Sequence, residues 1–345
     1  MTDEILFERR GAAGVVTLNR PAALNAVTHG MVLRLRAQLE AWAADDAVTR
    51  VVVTANGERA FSAGGDIRAL TELGRAGRKD EMLQFWRDEY PLNAFIKNYP
   101  KPYVALIDGI VMGGGVGVSV HGGHRVAGDR FQFAMPEVGI GFFPDVGATW
   151  FLPRMPGELG TYCALTGERF DAADALAAGV ATHRIPSARL PALLDGLCGT
   201  VPVNAILNAF AEPAGEGRLA PHRAAIDRLF AHDRVEDIVA ALDREGDDWA
   251  RKTAATIRAK SPLSLKIALA QVRRGKAWDF AACMRAEFRI VSRIVEGHDF
   301  YEGVRAVIVD KDNKPRWRPA ALADVGEAEV ERHFAPRAGD ELRLP

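Results

Sequence analysis

The strongest constraint on folding in this chain is a run of three consecutive glycines, Gly113, Gly114 and Gly115. The run follows the apolar residues 104–107 and leads into a stretch of small residues, which is typical of a strand, a tight turn and the start of a helix. Glycine lets the main chain approach a ligand closely. The first turn of a helix presents unpaired N–H groups to an anion. The run therefore predicts a main-chain site for a negatively charged oxygen.

Two carboxylates follow the glycines. Glu137 and Asp145 stand among Pro, Gly, Ile and Phe residues. Carboxyl groups with apolar neighbours are candidates for a shifted pKa and for acid–base chemistry. The alternatives are a loop carboxylate bonded to the local main chain for Glu137, and a structural turn acid after Pro144 for Asp145.

The same construction occurs one strand unit earlier. Residues 60–67 read Ala-Phe-Ser-Ala-Gly-Gly-Asp-Ile, a strand pattern followed by Gly64 and Gly65. A pair of glycines alone is a weak signal, for which a plain turn is the simpler interpretation. The glycine pair becomes a stronger indication of a binding site because it repeats the arrangement around Gly113.

Composition limits the class of protein. A length of 345 residues with 48% hydrophobic residues predicts about two domains, or one large domain with an appendage. A net charge of -1 gives no global indication of nucleic acid or acidic membrane as a partner. Three separated cysteines without a CxxC motif argue against a disulfide framework or a zinc site, so we expect buried thiols and no metal. Without signal-peptide features or a membrane-length apolar stretch, we expect a soluble, cytoplasmic protein.

Strand and helix patterns alternate up to about residue 186, and only helical patterns follow. Strands are predicted at 5–8, 15–19, 50–54, 103–107 and 180–185, the first two forming a hairpin, and helices near 28–42, 80–97, 159–165 and 171–178. Later helices are predicted at 220–230, 235–251, 262–274, 280–295 and from Asp299. These patterns predict an α/β fold with a core at residues 1–200 and a helical C-terminal region at 201–345, with 211–217 as the best linker candidate.

These motifs together resemble the crotonase (enoyl-CoA hydratase/isomerase) superfamily over nearly the whole chain. The general motifs are Ser62-Ala-Gly-Gly-Asp-Ile, Gly113-Gly-Gly and Met135-Pro-Glu. Narrower motifs make the chain most similar to 3-hydroxyisobutyryl-CoA hydrolases: Asp88-Glu-Tyr, His121-Gly, Phe142-Phe-Pro-Asp-Val-Gly, Leu152-Pro-Arg, Asp299-Phe-x-Glu-Gly-Val-Arg-Ala and Asp310-Lys-Asp. The resemblance implies a right-handed crotonase-like spiral of ββα units, an acyl-CoA thioester substrate, no separate cofactor, and a homo-oligomer as one option.

The resemblance also implies roles for individual residues. The main-chain N–H groups of Gly65 and Gly114 would form an oxyanion hole, and Glu137 and Asp145 would carry catalysis. The substrate-binding residues implied are Ala63, Asp66, Ile67, Glu89, Gly114, Glu137 and Asp145. Glu89 lies in a charged helix, so a solvated helix face is the competing interpretation. His121 and His124 lack partners at metal-ligand spacing and are expected to make local hydrogen bonds.

One departure from the family pattern selects among reactions. Enoyl-CoA hydratases carry a first catalytic glutamate just after the glycine turn, and the corresponding position here is Gly117. The resemblance therefore favours hydrolysis of a 3-hydroxyacyl-CoA, foremost 3-hydroxyisobutyryl-CoA in valine catabolism, with Glu137 as nucleophile or base. An enoyl-CoA hydratase or Δ3,Δ2-enoyl-CoA isomerase, and a non-catalytic acyl-CoA-binding protein, remain the alternatives.

Overall fold

The chain begins with an antiparallel hairpin. The computed structural model describes residues 3–337 and 339–344. Strand β1 (Ile5–Arg10) pairs with β2 (Ala13–Leu18), and Gly11 closes the turn with a φ of 58°. Glycine adopts this left-handed conformation without steric cost. The predicted hairpin is confirmed, with its two strands ending closer to the turn-forming glycine than expected.

The strands form two sheets that the chain visits alternately. The further strands are β3 (Arg50–Ala55), β4 (Ala60–Ser62), β5 (Tyr103–Ile107), β6 (Ile110–Met112), β7 (His124–Ala127), β8 (Gln132–Ala134) and β9 (His183–Arg184). The larger sheet has the order β1-β2-β3-β5-β7-β9, and the smaller has the order β4-β6-β8. Pairs other than β1/β2 are parallel. Three successive turns of the chain thus each give one strand to each sheet, which is the repeat expected of a ββα spiral.

Helices connect the strands and are the regular elements after β9. They are α1 (His29–Ala44), α2 (Ile67–Arg75), α3 (Lys79–Lys97), α4 (Gly114–Gly117), α5 (Ala148–Phe151), α6 (Leu159–Thr166), α7 (Ala172–Ala177), α8 (Leu190–Leu197), α9 (Val203–Phe210), α10 (Arg223–Leu229), α11 (Val235–Glu245), α12 (Asp248–Arg258), α13 (Pro262–Gly275), α14 (Phe280–Ile294), α15 (His298–Val304) and α16 (Glu327–Phe334). A tight helical turn lies at Glu137–Ile140, and α15 continues as a wider helical turn at Arg305–Val309.

Local sequence chemistry explains where helices begin and end. The hydroxyl of Thr28 accepts a hydrogen bond from the N–H of Met31, as predicted for the first residue before α1. The single helix predicted at 235–251 is wrong, because the chain leaves α11 through Gly246 at a φ of 68°. Asp247 then starts α12 by accepting the N–H of Ala250. A glycine stop followed directly by a capping aspartate therefore outweighs the continuous helical pattern.

The larger sheet is covered on both faces. On one face, Val52, Val104 and Val126 pack with leucines of α8 and α9. The opposite face contributes to the main core, which extends through the helices of the C-terminal region. The last strand ends at Arg184, and the regular elements described after it are all helices, separated by irregular segments such as 211–217 and 311–317. The division at residue 200 stays a prediction. No helix among the described residues has the length and hydropathy to cross a membrane. The three cysteines are buried free thiols.

A close contact between α15 and the Glu137–Ile140 turn gives a test of this packing. A Cβ added to Gly303 would overlap the main chain of Ile140. We expect Gly303→Ala to lower the free energy of unfolding by about 1–3 kcal/mol, because the main chain cannot move aside like a flexible side chain. Urea denaturation measures the change.

The control is Gly196→Ala, also within a helix, where the new methyl would meet only Ile206 at an ordinary contact distance of 3.5 Å. Alanine should be neutral or stabilising there. Equal stability of the two variants would contradict the proposed packing constraint.

Candidate active site

One cavity of about 520 Å³ collects the residues that the sequence singled out. Its walls include the predicted catalytic and substrate-binding residues Ala63, Gly65, Asp66, Ile67, Glu89, Gly114, Glu137 and Asp145. Residues of the C-terminal region complete it, among them Lys260 and Ile308. Elements far apart in the chain thus build a single site, and the roles assigned to these residues stay predictions.

Two glycine turns meet at the end of the smaller sheet. Strands β4 and β6 are parallel neighbours, so the turns that follow them lie side by side. A Cβ added to Gly114 would lie 3.2 Å from the N atom of Gly65 and 2.8 Å from Oε1 of Glu89. Within residues 3–337 and 339–344, the N–H groups of Gly65 and Gly114 donate to no protein atom. They are two unengaged donors on one cavity wall, and the oxyanion hole that they would form stays a prediction.

Glu137 lies beside the second glycine turn. It starts the tight helical turn after Pro136 and is 6% exposed. A Cβ added to Gly113 would lie 3.4 Å from Oε1 of Glu137. Its Oε2 has no hydrogen-bond partner among the described residues. Burial, and then the nearby charge of Asp145, raise the pKa of the Glu137 carboxyl well above its ordinary value.

Glu89 reaches the cavity from helix α3. The interpretation as a solvated helix face is wrong, because Glu89 is 2% exposed and lies on the inner side of the helix. Its Oε1 has no hydrogen-bond partner in the part of the chain that the structure describes. Burial raises the pKa of Glu89 well above its ordinary value, and the charges of Asp145 and Glu287 raise it further. The side chain offers an unpaired oxygen near the glycine donors.

The side chain of Asp145 is held by Tyr90, which lies on α3 next to Glu89. It is 4% exposed, and its Oδ2 accepts a hydrogen bond of 2.9 Å from the hydroxyl of Tyr90. Burial raises the pKa of Asp145 to about 7, although the hydrogen bond from Tyr90 acts in the opposite direction. Asp145 also lines the cavity, and its role there, whether catalytic or that of a structural turn acid, stays a prediction.

The sequence analysis missed a further buried acid, Glu287 on α14. It is fully buried, and its two carboxylate oxygens accept the main-chain N–H groups of Gly147 at 2.8 Å and Thr149 at 2.9 Å. Burial, and then the charge of Asp145, raise the pKa of Glu287 to about 8. The only signal in the sequence was a glutamate four positions after Cys283 on an apolar helix face. That position indicates that the Glu287 side chain is buried, but it does not predict its contact with the loop that contains Asp145.

One of the two histidines near the glycines, His121, makes a buried hydrogen bond to the main chain. Nε2 of His121 lies 2.7 Å from the carbonyl oxygen of Val146, which confirms the expected local hydrogen bond. Burial lowers the pKa of His121 to about 4, so the ring is neutral near pH 7. In the described chain, no group of three or more His, Cys, Asp or Glu side chains is arranged to hold a metal ion.

Comparison with known proteins places the chain in a family. A model of the enoyl-CoA hydratase/isomerase family matches residues 13–334. The chain therefore belongs to the enoyl-CoA hydratase/isomerase family, and the predicted crotonase-like α/β fold is confirmed.

Individual relatives are similar over almost their whole length. The mitochondrial 3-hydroxyisobutyryl-CoA hydrolase of Danio rerio is 45% identical, with 99% of this chain and 92% of the relative covered. The mitochondrial enzyme of that name from Homo sapiens is 40% identical, with 99% and 91% covered.

Two solved structures superpose on nearly the entire chain. A carnitinyl-CoA dehydratase from Mycobacterium thermoresistibile has a TM-score of 0.95 and 44% identity, with 99% of each chain covered. An enoyl-CoA hydratase from Rhodobacter sphaeroides 2.4.1 has a TM-score of 0.94 and 40% identity, with 99% of this chain and 100% of that chain covered.

The relatives also correct one expectation. The sequence led us to expect a cytoplasmic location. The hydrolases from Danio rerio, Gallus gallus and Homo sapiens are named as mitochondrial proteins, which contradicts it. The composition and motifs on which that expectation rested do not differ between a cytoplasmic protein and one inside an organelle.

The buried acids predict an unusual pH dependence of stability. A carboxyl whose folded pKa exceeds its unfolded value stabilises at low pH, and this stability is lost as the pH rises through the folded pKa. With Asp145 near 7 and Glu287 near 8, we expect their contribution to the free energy of unfolding to fall from about pH 4, the ordinary pKa of a carboxyl, to about pH 8, by roughly 1.4 kcal/mol per unit of pKa shift titrated, and most clearly between about pH 6.5 and 8. Between about pH 4 and 6.5 the lowered pKa of His121 has the opposite effect, because it makes the free energy of unfolding rise with pH. Urea denaturation at stepped pH measures the slope.

The Glu287→Gln variant is the control for this slope. It removes the group with the pKa of about 8 and should flatten the upper part of the window. A free energy of unfolding that is constant or rising from about pH 6.5 to 8 in the unmodified protein would contradict these raised pKa values.

Proposed function

We propose that the protein hydrolyses 3-hydroxyisobutyryl-CoA to 3-hydroxyisobutyrate and CoA, a step of valine catabolism. The observation that carries the proposal is the pair of unengaged N–H groups at Gly65 and Gly114 beside the buried, unpaired carboxyl of Glu137. The relatives named 3-hydroxyisobutyryl-CoA hydrolase support the choice of substrate. The coenzyme A is part of the substrate, and no separate cofactor enters the proposed reaction.

The glycine N–H groups would bind the thioester carbonyl oxygen. As the carbonyl carbon is attacked, negative charge develops on this oxygen, and donors already in place stabilise it. Losing one such donor typically costs about 3 kcal/mol of transition-state stabilisation. The space next to Gly114 is limited by Oε1 of Glu89 at 2.8 Å from an added Cβ, so a side chain there would obstruct the substrate oxygen.

Glu137 would supply the attacking group. Its carboxylate either attacks the thioester carbon, displacing the CoA thiolate, or removes a proton from the water that does so. Both routes need the ionised form. Burial raises the pKa of Glu137, which makes the carboxylate a stronger base once the proton has left.

Asp145 and Glu89 would recognise the 3-hydroxyl group. Oε1 of Glu89 is free to accept a hydrogen bond from it, and Asp145 faces the same cavity. A site with buried polar groups rejects substrates that leave those groups unpaired. Acyl chains without the hydroxyl should therefore react poorly.

Hydration of an enoyl-CoA is the second candidate. It is favoured by the solved structures described as a dehydratase and a hydratase. Against it, Gly117 replaces the first hydratase glutamate, and a Cβ there would lie 2.8 Å from Nδ2 of Asn93 and 2.9 Å from Cβ of Val146. The position has neither a second carboxylate nor space for one.

Thiol release separates these reactions. We expect 3-hydroxyisobutyryl-CoA to release CoA thiol, measured with a thiol reagent, and crotonyl-CoA to show little loss of its enoyl absorbance. Hydrolysis breaks the thioester bond, whereas hydration and isomerisation leave it intact. Hydration of crotonyl-CoA at a rate equal to thioester cleavage would overturn the proposal, and absence of any turnover would favour a non-catalytic acyl-CoA-binding protein.

Three conservative substitutions separate chemistry from recognition. We expect Glu137→Gln to lower kcat about 10²–10⁴-fold for both 3-hydroxyisobutyryl-CoA and isobutyryl-CoA, because the nucleophile or base is lost. Asp145→Asn and Glu89→Gln should lower kcat/KM mainly for the hydroxylated substrate, by the roughly 1.5–3 kcal/mol of a hydrogen bond to a charged group. Equal and deep losses on both substrates in Asp145→Asn would instead assign Asp145 to the chemistry.

A further inference from the structure

The main chain that follows Asp145 has a conformation that it cannot keep unaided. Val146 has a φ of 52° and Gly147 a φ of 89°. A β-branched residue in the left-handed region is a clear outlier, and such residues persist only where the surrounding structure holds them. The direction of the Asp145 side chain depends on this turn, since the two residues are adjacent.

Glu287 holds the far side of the turn. Its two carboxylate oxygens accept the N–H groups of Gly147 and Thr149, at 2.8 and 2.9 Å. Glu287 is fully buried on α14, 140 residues along the chain from Gly147. It does not line the cavity, so it has no direct access to a substrate there.

Two other buried side chains hold the same segment. Nε2 of Gln271 donates to the carbonyl oxygen of Pro144 at 2.5 Å and to Oγ1 of Thr149 at 2.9 Å. His121 contacts the carbonyl oxygen of Val146 at 2.7 Å. Main-chain groups before, within and after the turn are therefore each fixed by a side chain from a different element. Glu287 is the one of these three that accepts from main-chain N–H groups.

We propose that Glu287 is a positioning residue, which fixes the strained turn and thereby directs the Asp145 carboxyl into the cavity. The inference rests on the proposed hydrolase function, because it concerns Asp145 in that reaction. Glu287→Gln replaces one accepting oxygen with an NH2 group, which faces a main-chain N–H and cannot accept from it. The turn then loses one of its two attachments to α14, while the volume of the side chain is kept.

A double-mutant cycle with Asp145 tests the proposal. We expect Glu287→Gln to lower kcat/KM for 3-hydroxyisobutyryl-CoA roughly 10–100-fold and for isobutyryl-CoA much less, since misplacement of a positioned group by about 1 Å can cost this much. If Glu287 acts through Asp145, the double variant Glu287→Gln/Asp145→Asn is no slower than Asp145→Asn alone. Losses that multiply in the double variant, or an unchanged kcat/KM in folded Glu287→Gln, would overturn the proposal.

The control is Asp174→Asn. Asp174 is also a buried carboxylate that accepts a main-chain N–H, from Leu219 at 3.0 Å, and it lies outside the cavity. The Asp174→Asn variant should have the same kcat/KM as the unmodified protein. If Glu287→Gln does not fold, Gln271→Met replaces it in the double-mutant cycle. This substitution removes two hydrogen bonds to the same segment, those to Pro144 and Thr149, at nearly constant side-chain volume. A double variant no slower than Asp145→Asn again supports positioning through this turn, and losses that multiply again contradict it.

A structural measurement distinguishes failure of this inference from failure of the proposed function. If the unmodified protein releases no thiol from any acyl-CoA, the hydrolase proposal falls. Crystal structures of the unmodified protein and of Glu287→Gln then decide the positioning role. Displacement of the Asp145 carboxyl by about 1 Å or more supports it, in line with the precision that reacting groups require. An unmoved carboxyl refutes it.

Discussion

The site depends on burying four carboxyl groups together. Glu89, Glu137, Asp145 and Glu287 are each at most 6% exposed, and none of them forms a salt bridge with any described residue. Such a cluster cannot carry four charges, so protons and hydrogen-bond donors must compensate. Tyr90 donates to Asp145, and main-chain N–H groups donate to Glu287. Glu89 and Glu137 keep unpaired oxygens, and these two groups face the glycine donors and the cavity.

The alternating sheets determine where those groups meet. Since β4 and β6 are parallel neighbours, the glycine turns that follow them lie at one edge, and α3 passes close enough that Glu89 nearly touches Gly114. Only a residue without a side chain allows this approach. The glycines therefore serve two purposes at once: they expose N–H groups and admit a carboxylate within a few ångströms of them.

Local sequence patterns predicted the hairpin, the first helix, the glycine turns and the two acids Glu137 and Asp145, because each depends on neighbouring residues. The break at Gly246 was missed because helical periodicity continued on both sides of it. Glu287 was missed for a different reason. Its importance comes from two hydrogen bonds to residues about 140 positions earlier, and no local pattern carries that information. Glu89 needed the resemblance to be singled out, since a charged helix alone suggests a solvated face.

The 140-residue separation between Gly147 and Glu287 also bears on the order of assembly. During synthesis the strands and the turn after Asp145 leave the ribosome well before α14. Until α14 docks, the strained turn lacks its two hydrogen bonds to Glu287. Docking of the late helices then removes water from the acids and draws protons from solution. Since burial raises the pKa values of these acids, we expect folding of the newly made chain to take up protons near neutral pH, and a chain released before α14 would contain both glycine turns without the Glu287 support.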